Sequence, residues 1–226
     1  MKTLESHINE ALKIGKNISS FSTYSCKPTA IHELKAIIND RICREGAKCD
    51  LNDIDVSLIT DMSYLFYKTK FNGDISKWNV RNVKNMMWMF ADSTFNGDIS
   101  NWDVSGVNRM TGMFLGSKFN KDISRWNVSN VTDMYSMFNE SKFNKPIGDW
   151  DVSNVENLSG MFCEAEFNQD ISKWDVSKAT NMAWMFADSK FTGDISKWKI
   201  KEDCDVYDML AGCEIRKEFI PRLPEL

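Results

Sequence analysis

The sequence predicts an α/β repeat solenoid, and three observations predict it. A unit that opens FNGDISKWNVRNVKNMMWMFADST at Phe71 returns at Phe95, Phe119, Phe143, Phe167 and, decaying, Phe191, always 24 residues on and without insertion. A fixed period of about 20 to 50 residues marks repeated units stacked on one another. Within each unit the same apolar types fall in the same places, and their spacing changes from strand-like to helix-like along the unit.

Three parts follow: a helical N-terminal cap over residues 1–46, a seven-turn solenoid over 47–213, and a C-terminal tail or cap over 214–226. In the first part, residues 29–46 read as a helix. Thr29 is placed to cap its start, Pro28 precedes it and Gly46 can end it. Ile31, Leu34, Ile38 and Ile42 share one face, suited to covering the open end of the first coil. Residues 6–16 read as a shorter helix with Ile8, Leu12 and Ile14, and Phe21 to Cys26 as a connector.

With Phe71 as column 1, column 8 is Trp78, Trp102, Trp126, Trp150, Trp174 and Trp198, and column 20 is Phe in every unit until Leu210. Column 19 is Met89 and its five equivalents. A degenerate first coil precedes them, with Leu51, Ile54, Val56, Ile59, Met62, Leu65 and Phe66 in the apolar columns. Ile75, Trp78 and Val80 read as a short parallel strand and a bend, whereas Met86, Met89 and Phe90 follow the spacing of a helical turn. The residue before that turn is Asp61, Asn85, Asp133, Asn157, Asn181 or Asp205, good N-caps, with Arg109 the exception. A coil of strand, bend and short helix is the plan of leucine-rich repeats. At about 4.8 Å per coil the stack is roughly 30 Å long. At its end, Phe219 and Leu223 can dock on the last coil.

Composition narrows the function classes. The net charge is −4, with +2 in residues 1–46, zero in 214–226 and so −6 in between. A nucleic-acid binder shows a basic stripe, so nucleic acid is not expected as a partner. No apolar run long enough for a membrane span occurs. The N-terminus MKTLESHINEALK has no apolar signal region, so the expected location is the cytoplasm, or export without a Sec leader. Cys26, Cys43, Cys49, Cys163, Cys204 and Cys213 form no CxxC pair, and free thiols are expected.

Candidate chemistry is sparse. The acidic column 4 (Asp74, Asp98, Asp122, Asp170, Asp194) invites a calcium ladder, but column 7 supplies Lys77, Arg125, Lys173 and Lys197 nearby. Where column 4 becomes Pro146, column 7 becomes Asp149, which predicts turn-capping and pairing between columns 4 and 7. Asn in column 2 and Asp or Asn in column 9 read as side chains that satisfy their own turn backbone. The two histidines, His7 and His32, both precede the repeats, so no nucleophile–His–acid arrangement can form within them, and no enzyme, cofactor or metal is expected. Variation concentrates elsewhere. Column 18 holds Tyr64, Trp88, Gly112, Ser136, Gly160, Trp184 and Asp208, and column 17 includes Met87, Tyr135 and Tyr207. Exposed large aromatics anchor interfaces. Trp88 and Trp184 also suit packing between adjacent coils.

The segments FNGDISKWNVRNVKNM, DISRWNVSNVTDMYSMF and ISKWDVSKATNMAWMF resemble the repeat of the BspA-like leucine-rich-repeat surface proteins, which also occurs in mycoplasma-type lipoproteins of unassigned function. The resemblance spans about residues 47–213. It implies a leucine-rich-repeat-like solenoid, a cell-surface setting, adhesion in some members, and no catalytic residues. The expected function is a non-enzymatic, monomeric module recognising a protein or a glycan, through Tyr64, Trp88, Tyr135 and Trp184 and the basic residues Lys77, Arg125, Lys173 and Lys197. The alternative is a structural assembly subunit of a cell-surface or virion structure.

Overall fold

The computed structural model describes residues 24–224, so the helix expected over 6–16 and the start of the connector at Phe21 lie outside the described residues. Among the described residues there is one α-helix, α1, Ile31–Glu45. Thr29 does not cap it. The N-cap is Ala30, and the N–H and hydroxyl of Thr29 donate instead to Glu33 Oε2 at 2.7 and 3.0 Å. Glu33 sits three residues into the helix and reaches back, as the acid of a capping box does. Leu34 and Ile38 are buried in the core, with Ile31, Ile37 and Ile42 packed against it. Arg41 ties α1 to the first coil. Its Nη1 meets both Asp53 carboxylate oxygens at 3.1 and 2.9 Å, and its Nη2 donates to the Asp50 carbonyl. Cys26 bridges Ile54 in parallel, so the segment before α1 also pairs with that coil.

The 24-residue units lie one on the next in parallel register. Column 15 pairs along the whole stack, from Asp61 through Asn85, Arg109, Asp133, Asn157 and Asn181 to Asp205, as single-residue bridges. The expected strand narrows to these bridges and the expected helical turn is absent. Columns 16–23 hold overlapping reverse turns: the N–H of Met89, Ala91 and Ser93 donates to the carbonyl of Met86, Trp88 and Phe90. The alternate N–H groups, of Met86, Trp88, Phe90 and Asp92, donate to Arg109, Thr111, Met113 and Leu115 of the next coil. A helix would consume all of these donors internally. Half of them here hold the neighbouring coil, and the apolar spacing of Met86, Met89 and Phe90 serves both arrangements.

These turns require positive φ at columns 18 and 22 of every coil. Glycine stands there at 112, 116, 160 and 212, with φ of +56 to +66°. Tyr64, Lys68, Trp88, Asp92, Ser136, Glu140, Glu164, Trp184, Asp188 and Asp208 adopt the same left-handed backbone, with φ of 47 to 56°. Positive φ at the third residue is the hallmark of a type II turn and costs a non-glycine residue about 1–2 kcal/mol.

The core is a set of aromatic ladders. Phe66, Phe90, Phe114, Phe138, Phe162 and Phe186 stack in column 20 at 5.5–5.8 Å. The column-1 phenylalanines stack at 6.1–6.4 Å. Each column-8 Trp is buried, and its indole N–H donates to the column-5 carbonyl of the coil before, as in Trp126 to Ile99 at 3.1 Å. Column-2 Asn does not satisfy its own turn. Its Oδ1 accepts the N–H of the equivalent residue in the next coil, at 2.8–3.0 Å from Asn72 to Thr192.

Columns 4, 9 and 15 each form Asx turns, the Oδ1 accepting the N–H two residues on. Column 15 is therefore not a helix cap. None of the column-4 carboxylates ion-pairs with column 7 among the described residues; Lys173 instead meets Asp149 of the preceding coil at 3.5 Å. An Asx turn supplies a fixed N–H donor at no side-chain entropy cost to a lysine, so it prevails. At the C-terminal end, a short 3-10 helix, Lys217–Phe219, turns the tail back over the last coil, where the Phe219 carbonyl accepts the Ile195 N–H at 3.1 Å. Leu223 packs against the core.

Two predictions follow from this backbone. Glu164→Gly, at φ 53°, should raise the urea midpoint by the equivalent of about 1 kcal/mol, because glycine carries no left-handed penalty. Gly112→Ala should lower it, because a Cβ there meets the Trp88 ring at 2.9 Å as well as φ +56°. Equal midpoints for the two variants would contradict the assigned turns.

The acid side is also fixed. The N–H of the serine two residues on is the chief cause holding the carboxyls of Asp74, Asp98, Asp122 and Asp170 below the ordinary range, and the same serine's hydroxyl is the chief cause at Asp103, Asp151, Asp175 and Asp194. A depressed folded pKa contributes stability above the unfolded value, about 3.9, and loses it as pH falls through the folded value. The thermal midpoint should hold from pH 7 to 5 and fall below about pH 4. Asp103→Asn with Asp151→Asn and Asp175→Asn should make that fall shallower by removing the charges' share of stability at pH 7, while the turn itself persists, because Asn127 already makes it in that column.

Candidate interaction surface

Columns 17, 18, 21 and 22 lie side by side on one face of the stack. Tyr64 (column 18) meets Tyr67 (column 21) edge-on at 5.6 Å and stacks on Trp88 of the next coil at 6.3 Å and 8°. The Trp88 ring lies over Gly112 of the coil after that, which leaves it half-buried. Toward the other end, Trp184 meets Tyr207 edge-on at 5.4 Å. Both are about half exposed, 49% and 51%. Between these two aromatic groups column 18 shrinks to Gly112, Ser136 and Gly160, and Tyr135 stands out from column 17, 41% exposed. Trp88 and Trp184 are four coil steps apart, about 19 Å.

Of the sequence-derived residues, Tyr64 and Trp88 are thus brought together, Trp184 gains Tyr207 as a neighbour, and Tyr135 lies between the groups. The basic residues occupy another edge. Arg125 lines a shallow depression of about 310 Å³ with Asp98, Ser100, Asn101, Lys121 and Asp122, and Lys197 lines a second one with Asp170 and Asp194. Lys77 and Lys173 are exposed in the same column. That edge is mixed in charge, since column 4 stands beside column 7.

Two features of the aromatic face escaped the sequence reading. Tyr67 falls in the degenerate first coil, where column 21 has no aromatic precedent, though extending the period back from Phe71 would have placed it. Columns 17–22 of the coils from Met87 to Gly212 also carry five acids, Asp92, Glu140, Glu164, Asp188 and Asp208, and no Lys or Arg, a count visible only once those columns share a face. Burial pushes the Cys163 thiol up, and the charges of Glu164, Asp188 and Glu140 add to the rise.

The remaining cysteines are unpaired, and burial raises the Cys204 thiol to about 11. Among the described residues no cluster of three His, Cys, Asp or Glu side chains could hold a metal ion. His32 is exposed on α1, and His7 lies outside the described residues. No helix among the described residues is long and apolar enough to cross a membrane.

In-register aromatic ladders and a repeated Asx framework define a tandem-repeat protein. The chain belongs to the family described as Mycoplasma protein of unknown function, DUF285, whose pattern matches residues 41–142 and again 116–221. The two overlapping matches follow the internal repetition. No curated protein and no solved structure matches the chain.

Proposed function

We propose that this chain is a non-enzymatic binding module, a leucine-rich-repeat-like solenoid of the BspA-like kind that recognises a protein or glycan partner. In this reading residues 47–213 form the solenoid, 1–46 its N-terminal cap and 214–226 its C-terminal cap. The carrying observation is the position of the exposed aromatics. Tyr64, Trp88 and Trp184 occupy left-handed backbone that glycine fills without penalty in the central coils at 112 and 160. Scaffold stability alone favours glycine at those places, so large aromatic side chains there point to a use outside the scaffold. Aromatic residues of this kind supply large contact area at low entropy cost and dominate interface energetics. Both ends of the stack are covered, by α1 and by the tail from Lys217, which disfavours the alternative of an end-to-end assembly subunit.

The test is cross-linked capture of a partner from extracts of the cells that make the protein. Trp184→Ala with Tyr207→Ala should cut recovery about ten-fold while leaving the thermal midpoint within a few degrees of the parent. Undiminished recovery would show that this face is not the binding surface.

A further inference from the structure

We infer that the aromatic face takes a basic, extended protein segment, whose Lys or Arg side chains seat between its rings and the carboxylates of Glu140, Glu164 and Asp188. The inference rests on the binding-module reading and specifies the partner's chemistry.

Three observations carry it. The first is an internal precedent. Lys68, at the N-terminal end of column 22, holds its ammonium 5.0 Å from the Tyr67 ring centroid and 4.0 Å from Asp92 Oδ2. The chain's own cation thus occupies the notch between columns 21 and 22, where a ring and a carboxylate meet. Cation–π attraction and a carboxylate act together there.

The second is that column 22 goes on carrying carboxylates without a cation, although column 21 has no aromatic ring after Tyr67. Column 22 continues with Glu140, Glu164 and Asp188, exposed and free of ion pairs among the described residues, and no Lys or Arg follows Lys68 in columns 17–22. The exposed Tyr135, Trp184 and Tyr207 stand in columns 17 and 18 of the same stretch of coils. The other acids of the stack differ. Column-4 and column-9 carboxylates are held in Asx turns, and Glu166 pairs with Lys142.

The third is charge and length. A face with five acids, and Lys68 at its N-terminal end as the one base in columns 17–22, repels anionic polymers and complements a cationic segment better than a neutral glycan, whose hydroxyls the carboxylates can only hydrogen-bond. The distance from Trp88 to Trp184, about 19 Å, accommodates about six extended residues.

Fluorescence anisotropy with a labelled (Lys-Gly)6 peptide tests this, against (Glu-Gly)6 and a neutral chitohexaose. The basic peptide should bind, the acidic one should not, and binding should weaken as salt rises from 50 to 500 mM. Glu140→Gln, Glu164→Gln and Asp188→Asn together should weaken it about ten-fold, as should Trp184→Ala. Asp98→Asn, Asp122→Asn and Asp170→Asn remove the same charge from the opposite edge and keep its Asx turns, and should leave binding within two-fold of the parent. An equal loss in that control set would mean nonspecific attraction and overturn the inference. So would a (Lys-Gly)6 affinity no greater than that of (Glu-Gly)6. Chitohexaose binding that needs Trp184 but ignores the three carboxylates would overturn it too, while leaving the binding-module reading intact. Loss of Trp184-dependent partner capture would remove that reading itself.

Discussion

The indole N–H of each column-8 tryptophan sets the register on which the rest of the structure depends. It reaches back 27 residues to the column-5 carbonyl of the preceding coil, from Trp78 to Leu51 through Trp198 to Ile171. The buried donor has no water to turn to, so a coil shifted by one residue would leave both the indole and the carbonyl unpaired, at about 1–3 kcal/mol each. The Asn ladder of column 2 repeats the same constraint at another corner, as do Asn82, Asn130 and Asn154, whose amides donate to the carbonyl of Ser57, Ser105 and Ser129. A conventional parallel sheet would set register by a row of backbone bonds. Here a row of backbone bonds joins columns 16–22 of successive coils, and side chains share the task at the other corners. This explains why every unit is 24 residues long and why no insertion is found between Phe71 and Cys213.

The stacked plan was legible because it depends on the chain's most repeated letters. Trp once, and Phe and Met twice, per period announce buried columns, and Asp or Asn two residues before Ser announces turns. The local conformation was not legible. Met86, Met89 and Phe90 satisfy a helical spacing, yet they lie in successive turns, because alternate N–H groups serve the next coil. Periodicity reports which side chains face inward, not where the intervening donors point. The four glycines in columns 18 and 22 were the available signal for positive φ, but ten non-glycine residues in the same two columns concealed it. Column 4 misled in another way. Its charge alternation with column 7 suggested ion pairs, whereas a backbone N–H two residues away was always nearer.

The candidate face was half legible. Tyr64, Trp88, Tyr135 and Trp184 stood out because they interrupt otherwise small or variable columns. Their grouping did not, since it depends on how far each side chain leans along the stack. Trp88 leans over Gly112, and its ring would collide with any Cβ there, so the loss of a side chain in one coil makes room for the aromatic of the coil before. Gly116 relates to Asp92 in the same way, and Gly212 to Asp188. A single column therefore records two things at once: the left-handed backbone common to all coils, and a local alternation between coils that project a side chain and coils that receive one.

That alternation separates scaffold from surface in physical terms. Substitutions in columns 1, 8, 19 and 20 strike a continuous core in which each ring has neighbours above and below, so their effects spread along the stack. Columns 18 and 22 have no such coupling beyond the next coil, and their side chains carry a backbone penalty wherever they are not glycine. A chain selected for stability alone would drift toward glycine there. This one has instead two tryptophans, a tyrosine, a lysine, a serine and five acids in those columns. The energetically disfavoured choice is made ten times in these two columns. The cost is borne within the scaffold, so its return must be sought in what those side chains meet outside it.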